Sequence, residues 1–278
     1  MGQIKLAVVD IDGTISGDAN QVSPRVKATI KAVQAQGVFV AIATGRMYRS
    51  ALRFHEAIGS DMPLISYQGA FIKDPKTDAL VGHWPVDLPQ ALSLLDDMEQ
   101  FATPEQLSVH VYVNDELYVR QMTPQTLAYA ERSQVEAKPV GDLREFLHNQ
   151  GAGYPPTKIL ALSDDAALIS TMLTEFKGRY TPGQLYLTKS VATFFEATNP
   201  LANKGTAVKH LAENILGLTS DQVLAIGDNF NDLEMIEYAG VGVVMGNGPE
   251  DLKPKANWVA PSVEVDGAAV ALEKFVLS

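Results

Sequence analysis

The chain of 278 residues contains no cysteine, which excludes disulfides and thiolate-held metals and is compatible with a reducing compartment. It has no apolar run long enough to span a bilayer. Its N-terminus runs directly into a strand-like segment, without the basic start and apolar h-region of a secretory leader. A cytoplasmic protein is the expectation. Basic residues are scarce, with 22 Lys and Arg against 33 Asp and Glu for a net charge of −11. Nucleic acid and anionic membranes both need basic patches, so neither is expected as a partner. The five histidines, His55, His83, His110, His148 and His210, are scattered, and no pair has the spacing of a helical zinc site. Internal repeats and low-complexity tracts are missing as well. Apolar residues, in contrast, make up 46% of the chain with mean hydropathy near zero, enough for a buried core in one large domain or two smaller ones. Nothing fixes the oligomeric state, for which a monomer or weak dimer is the default.

Four polar clusters stand out, each at the end of a strand-like run or the start of a helix. Ile4–Val9 is short and apolar, and it delivers Asp10-Ile11-Asp12-Gly13-Thr14. Along a strand, side chains two apart share a side. Two acids held that close need a cation between them or a retained proton. With a divalent metal Asp10 would stay ionised as a nucleophile, beside Asp12 as acid and base. A plain Asp-Gly turn is the alternative. Thr44-Gly45-Arg46 follows the apolar run Val38–Ala43 and a helix whose ends are marked by Ser23-Pro24 and Gly37, with Val26, Ile30 and Val33 on one face. The Thr44 hydroxyl and the turn's N–H groups suit phosphate oxygens; otherwise this is a strand-end turn with an exposed arginine. Lys204-Gly205 opens a helix with Val208, Leu211, Ala212 and Ile215 on one face. A lysine there opposes the helix dipole, which makes sense if it reaches a bound anion. Gly227-Asp228-Asn229-Phe230-Asn231-Asp232 follows the apolar run Val223–Ile226. In a parallel sheet Asp228 and Asp10 would open on the same edge, where ligands of such sheets bind.

In this order, and with a long insertion between the second and third, the four clusters resemble the motifs of the haloacid dehalogenase superfamily, specifically its Cof-type phosphatases with a large (C2B-type) cap. The resemblance implies an α/β fold, a Rossmann-like parallel-sheet core with helices on both faces and an inserted α+β cap. It implies that Asp10 attacks phosphorus to form an aspartyl-phosphate while Asp12 protonates the leaving oxygen and then activates water. Mg²⁺ would be held by Asp10, Asp228 and the Asp12 carbonyl; hard oxygen donors favour it over zinc. Thr44, Gly45, Lys204, Asn231 and the Ile11 amide would hold the phosphoryl oxygens, with Asp232 in support. The substrate would be a small phosphorylated metabolite, a sugar phosphate first, with pyridoxal phosphate or flavin mononucleotide as alternatives. A phosphomutase is the alternative reaction. Two positions depart from the family pattern. Gln68-Gly69-Ala70 stands where Asn-Gly-Ala is common, and Asp266-Gly267-Ala268 where Asp-Gly-Val is usual.

Since two clusters precede residue 82 and two follow 190, segments 1–82 and 190–278 are expected to build the core and 83–189 the cap. Within the latter, Leu92, Leu95 and Met98 mark a helix, and Val109–Val113 and Leu117–Val119 flank Asn114-Asp115-Glu116 as a hairpin. Lys158–Leu162 reads as a strand and Ala166–Phe176 as a helix. Gly151–Pro156 reads as a mobile or variable loop. Phe194-Phe195 is expected in a core strand. A receiver-type phospho-acceptor domain would be less than half this length. A binding protein that has lost turnover sits poorly with four intact motifs.

Overall fold

The computed structural model describes residues 3–150 and 154–278. Of the loop read at Gly151–Pro156, residues 151–153 lie outside the described residues. The chain opens with β1 (Leu6–Val9), α1 (Pro24–Ala35), β2 (Phe39–Ile42), α2 (Tyr48–Ile58), β3 (Leu64–Ser66), β4 (Phe71–Lys73) and β5 (Leu80–His83). The middle carries α3 (Leu88–Phe101), β6 (Ser108–Val113), β7 (Glu116–Val119), α4 (Pro124–Ser133), β8 (Ala137–Pro139), α5 (Leu143–Gln150), β9 (Lys158–Leu162), α6 (Ala166–Arg179), β10 (Tyr186–Thr188) and β11 (Phe194–Thr198). The chain closes with α7 (Lys204–Lys209), β12 (Val223–Gly227), α8 (Leu233–Tyr238), β13 (Val241–Val244), β14 (Trp258–Val259) and α9 (Gly267–Leu272). Two compact units result: residues to Gly82 together with Asn203–Ser278, and His83–Ala202. Among the described residues no helix is long and apolar enough to cross a membrane.

The first unit is built on a parallel sheet in the order β14-β13-β12-β1-β2. Every residue of β1, β12 and β13 is buried, as their unbroken apolar runs require when helices cover both faces. α1 packs with α2 and α9, and α7 with α8. α1 begins where its sequence says it should: Val26 N–H donates to Ser23 Oγ at 3.1 Å, Pro24 occupies the first turn, and Val26, Ile30 and Val33 are buried. After α7 the helix continues as a π-helical turn, His210–Ile215. The wider winding takes Ile215 off the apolar face predicted for it; Ile215 is exposed while Val208, Leu211 and Ala212 are buried.

The second unit holds a six-stranded sheet, β10-β11-β9-β6-β7-β8, antiparallel except for β7 and β8. An apolar cluster from α3, α5 and α6 meets Val111, Ile159, Ala161, Phe195 and Ala197 on one side of it. The sequence pattern assigns residues 190–202 to the core, but β11 pairs with β9 and β10, and the second unit extends to Ala202. The reason is packing: Phe195 and Ala197 fill this unit's apolar cluster, a partnership that a motif count does not reveal.

Candidate active site

All four polar clusters fall within the first unit. Parallel β1 and β12 are adjacent, Val9 opposite Ile226, so Asp10 and Asp228 leave neighbouring strand ends. From there β2 lies to one side and β13 to the other. This is the point of an open α/β sheet where connections diverge and leave a crevice.

β1 ends at Val9, so the alternation of side chains along a strand does not operate at Asp10 and Asp12. The chain instead turns, with the N–H groups of Thr14, Ile15 and Ser16 converging on the Ile11 carbonyl at 3.3, 3.1 and 2.9 Å. Gly13 has φ +79°, and a Cβ there would lie 2.2 Å from Asp228 Oδ2. Only glycine serves, for conformation and for close approach. Within the protein each acid meets a cationic side chain of its own. Lys204 Nζ donates to Asp10 Oδ1 at 2.7 Å. Arg46 forks onto Asp12, Nε to Oδ2 at 2.8 Å and Nη2 to Oδ1 at 2.6 Å.

Lys204, fully buried at the first position of α7, also donates to Asp232 Oδ1 at 2.5 Å. Gly205 makes this reach possible, since a Cβ would lie 2.6 Å from the Glu234 backbone and hold α7 away from α8. The other Asp232 oxygen accepts the N–H groups of Asp228 at 2.8 Å and Asn229 at 3.1 Å. Asp232 is thus a strut that ties the lysine to the loop carrying Asp228. Among the described residues, carboxylate oxygens of Asp10, Asp228 and Asp232 lie within 4.8 Å of one another.

Charge in this cluster is out of balance. Burial pushes the Asp10 carboxyl up to about 7; Lys204 opposes this, and the Asp232 and Asp12 charges add to it. Burial, with Asp232 and Asp10 nearby, pushes Asp228 up to about 9. Burial works against the Lys204 ammonium, but Asp10 and Asp232 outweigh it and hold the pKa above its ordinary value. One ammonium therefore faces three packed carboxylates. A hard divalent cation suits this all-oxygen set, because it would let Asp10 and Asp228 ionise together.

The second and fourth clusters meet through a residue outside both. Thr44 is buried and its Oγ1 accepts the Arg46 N–H at 3.2 Å. Asn231, also buried, donates from Nδ2 to Gln68 Oε1 at 3.1 Å. The Gln68 carboxamide lies against Gly45, where a Cβ would be 2.3 Å from Nε2. Asp10, Asp12, Thr44, Gly45, Lys204, Asp228, Asn231 and Asp232 are joined by these contacts, with Ile11 in the turn between the first two.

Two further residues enter the site. Arg46, which a plain strand-end turn would leave exposed, is 9% exposed, shares Nη2 with Asn20 Oδ1 at 2.7 Å and stacks on Phe54 at 4.6 Å. Its acid partner lies 34 positions away, and no local pattern links them. Gln68 carries a signal only as a departure from Asn.

Residues 7–272 match the family described as haloacid dehalogenase-like hydrolase. The chain is 29% identical over 274 residues to the 5-amino-6-(5-phospho-D-ribitylamino)uracil phosphatase YitU of Bacillus subtilis, covering 97% of each. It is 28% identical over 284 residues to the phosphatase YwpJ of the same organism, covering 96% of this chain and 98% of the other. A solved haloacid dehalogenase-like hydrolase from B. subtilis superposes with a TM-score of 0.85 at 27% identity, over 97% of this chain and 99% of that one.

Proposed function

The chain belongs to the haloacid dehalogenase-like hydrolases, and from that membership we propose that it hydrolyses the phosphate ester of a small metabolite through an aspartyl-phosphate on Asp10. The observation that carries this reading is Asp10 itself: a buried carboxylate at a strand end, held through one oxygen by a buried lysine and set beside Asp228.

Lys204 engages Asp10 Oδ1, which leaves Oδ2 to attack phosphorus. As that O–P bond forms, the ester P–O bond breaks and Asp12 gives its proton to the leaving oxygen. Asp12 then takes a proton from water, the water oxygen attacks the phosphoryl group, and Asp10 leaves as carboxylate with inorganic phosphate as product. Hydrolysis is favoured over return of the phosphoryl group to a sugar because the relatives YitU and YwpJ are named phosphatases. Arg46 aims the Asp12 carboxylate; a protonated Asp12 gives up one arm of the fork and keeps the other. Thr44, Gly45, Asn231 and the Ile11 amide hold the phosphoryl oxygens, and positioning with charge neutralisation supplies most of the rate. Asp10, Asp228 and the Asp12 carbonyl would hold Mg²⁺, which when bound neutralises charge on the phosphoryl oxygens.

Catalysis is assigned to the first unit and choice of leaving group to His83–Ala202. A sugar or polyol phosphate is the favoured substrate class; the relative YitU acts on a phosphoribityl compound by its name. The cytoplasm is the favoured location. The test is phosphate release across a panel of phosphorylated metabolites and an aryl phosphate. EDTA should abolish turnover, Mg²⁺ should restore it, and Asp10→Asn should show none. Persistent turnover by Asp10→Asn would overturn the covalent mechanism.

A further inference from the structure

Tyr67, Gln68 and Gly69 take three successive positive φ values, +53°, +59° and +97°. Glycine does this freely, but a tyrosine and a glutamine do so only when the surroundings compel it. The surroundings here are the candidate site. Tyr67 N–H donates to the Arg46 carbonyl at 2.8 Å and Gln68 N–H to the Thr44 carbonyl at 3.0 Å, so the strained turn is zipped onto the loop of the second cluster. At Gly69 a Cβ would lie 2.5 Å from the Asn203 carbonyl, so the same turn seats against the cap of the helix that starts with Lys204. The left-handed conformation directs the Gln68 side chain inward, where it is fully buried. Its Nε2 end covers Gly45 and its Oε1 end accepts from Asn231.

We propose that Gln68 is a positioning residue of the phosphoryl pocket: its carboxamide spans from Gly45 to Asn231, sets which end of the Asn231 amide faces Gln68, and keeps the two phosphoryl-binding loops at fixed spacing. An amide side chain has two similar-sized ends, one donating and one accepting. An anion needs the donating end. Because Oε1 of Gln68 can only accept, it draws Nδ2 of Asn231 to itself with one N–H and leaves the second N–H of that nitrogen for an oxygen of the substrate. The Asn231 Oδ1 is buried with no partner among the described residues, so among those residues it is Gln68 that holds the amide in this orientation. Gly45 is the complementary adaptation, since any side chain there would displace Nε2.

The inference rests on the phosphatase reading and is tested so that the two fail separately. Wild type, Gln68→Gly, Asn231→Ala and the double variant are compared for kcat and KM on an aryl phosphate and on the best metabolite, and for the inhibition constant of inorganic phosphate. Gln68→Gly removes the carboxamide and relieves the left-handed backbone but leaves a cavity and Asn231 Nδ2 without its acceptor, so its melting temperature should fall by a few degrees while the enzyme stays folded at the assay temperature. Its kcat/KM should fall about 10- to 100-fold on both substrates alike, with a parallel weakening of phosphate binding, as for loss of a preorganised donor. In the Asn231→Ala background the same change should cost less than about threefold, because residues acting as a unit are not additive. Gln68→Glu, which keeps an acceptor for Asn231 but places a charge over Gly45, should weaken phosphate binding more than Gln68→Gly does. Equal losses in both backgrounds, or a Gln68→Gly enzyme as active as wild type, would overturn the inference. A wild type that releases no phosphate from any substrate would overturn the phosphatase reading, while the effect of Gln68→Gly on phosphate binding would still decide the role of Gln68.

Discussion

At the scale of single residues, Lys204 decides the charge balance of the site. It is the one buried ammonium in contact with Asp10 and Asp232, and its removal would leave acids packed together without a counter-charge. Breaking a buried pair from one side costs more than the pair contributes, because the orphaned charge stays buried. Lys204→Met should therefore lower unfolding free energy by about 3–5 kcal/mol and cut turnover roughly 10²–10³-fold on every substrate. Denaturant melts and initial rates measure the two effects, and a variant that unfolds like wild type would show that the pairing carries no stability. Asp12 differs, being partly exposed and forked by Arg46. On the proposed mechanism Asp12→Asn keeps the nucleophile and loses the proton shuttle, so turnover should drop by about 10²–10⁴. With an aryl phosphate, whose leaving group needs no proton, phosphorylated Asp10 should accumulate and appear by intact mass. A phosphoryl group found on any other residue would contradict the role given to Asp10.

At the scale of elements, β6 shows how much a short alternation can specify. Val109, Val111 and Val113 turn to the apolar cluster of the second unit, while Ser108, His110 and Tyr112 take the opposite face. The turn into β7 uses Asn114 and Asp115, both at positive φ, as a two-residue hairpin requires. The polar face is closed by hydrogen bonds: His110 Nε2 with Thr126 Oγ1 at 2.9 Å, Tyr112 to Tyr129 at 2.8 Å, and the buried pair of Lys158 and Glu196 at 2.9 Å. Burial, reinforced by the Lys158 charge, lowers the His110 pKa from 6.5 to about 3. The folded state thus refuses a proton that the unfolded chain accepts below 6.5, so this histidine costs stability progressively as pH falls from 6.5 towards 3. The melting temperature of wild type relative to His110→Gln, which can still bond Thr126, should therefore fall over that window. The raised Asp10 and Asp228 act in the opposite direction, so the difference between variant and wild type is the informative quantity. Parallel pH profiles would mean that His110 titrates normally.

At the scale of the molecule, chemistry and selectivity are assigned to different units, and mutations should separate them. Met122, Leu127, Tyr154 and Val191 are large apolar side chains left exposed in the second unit. Changing each to Ala should lower kcat/KM for the preferred metabolite by tenfold or so in at least one case while an aryl phosphate is turned over as before. Binding energy from the non-reacting part of a substrate is what orients the reacting part, and a small aryl ester has little of it to lose. If every variant slowed both substrates equally, the second unit would be supplying groups to the chemistry itself.

Local features were legible in the sequence because local forces set them. Ser23 and Pro24 start α1, the apolar run Lys158–Leu162 coincides with β9, and the acid and lysine clusters stand at strand or helix ends because that is where a parallel sheet leaves backbone and side chains to face a ligand. Family resemblance then ordered those clusters into one site. Tertiary structure alone decided which charge meets which. Lys204 and Asp10 are 194 positions apart, Asn231 and Gln68 163, and Arg46 and Asp12 34. Such pairings follow from how strands and helices pack, which no periodicity encodes. The same holds for Arg46, buried where a turn arginine would be exposed, and for β11, which joins the sheet its apolar side chains can complete. Gln68 is the sharpest case: its sequence shows only an unusual residue, whereas the fold shows a left-handed turn that puts one amide between two loops.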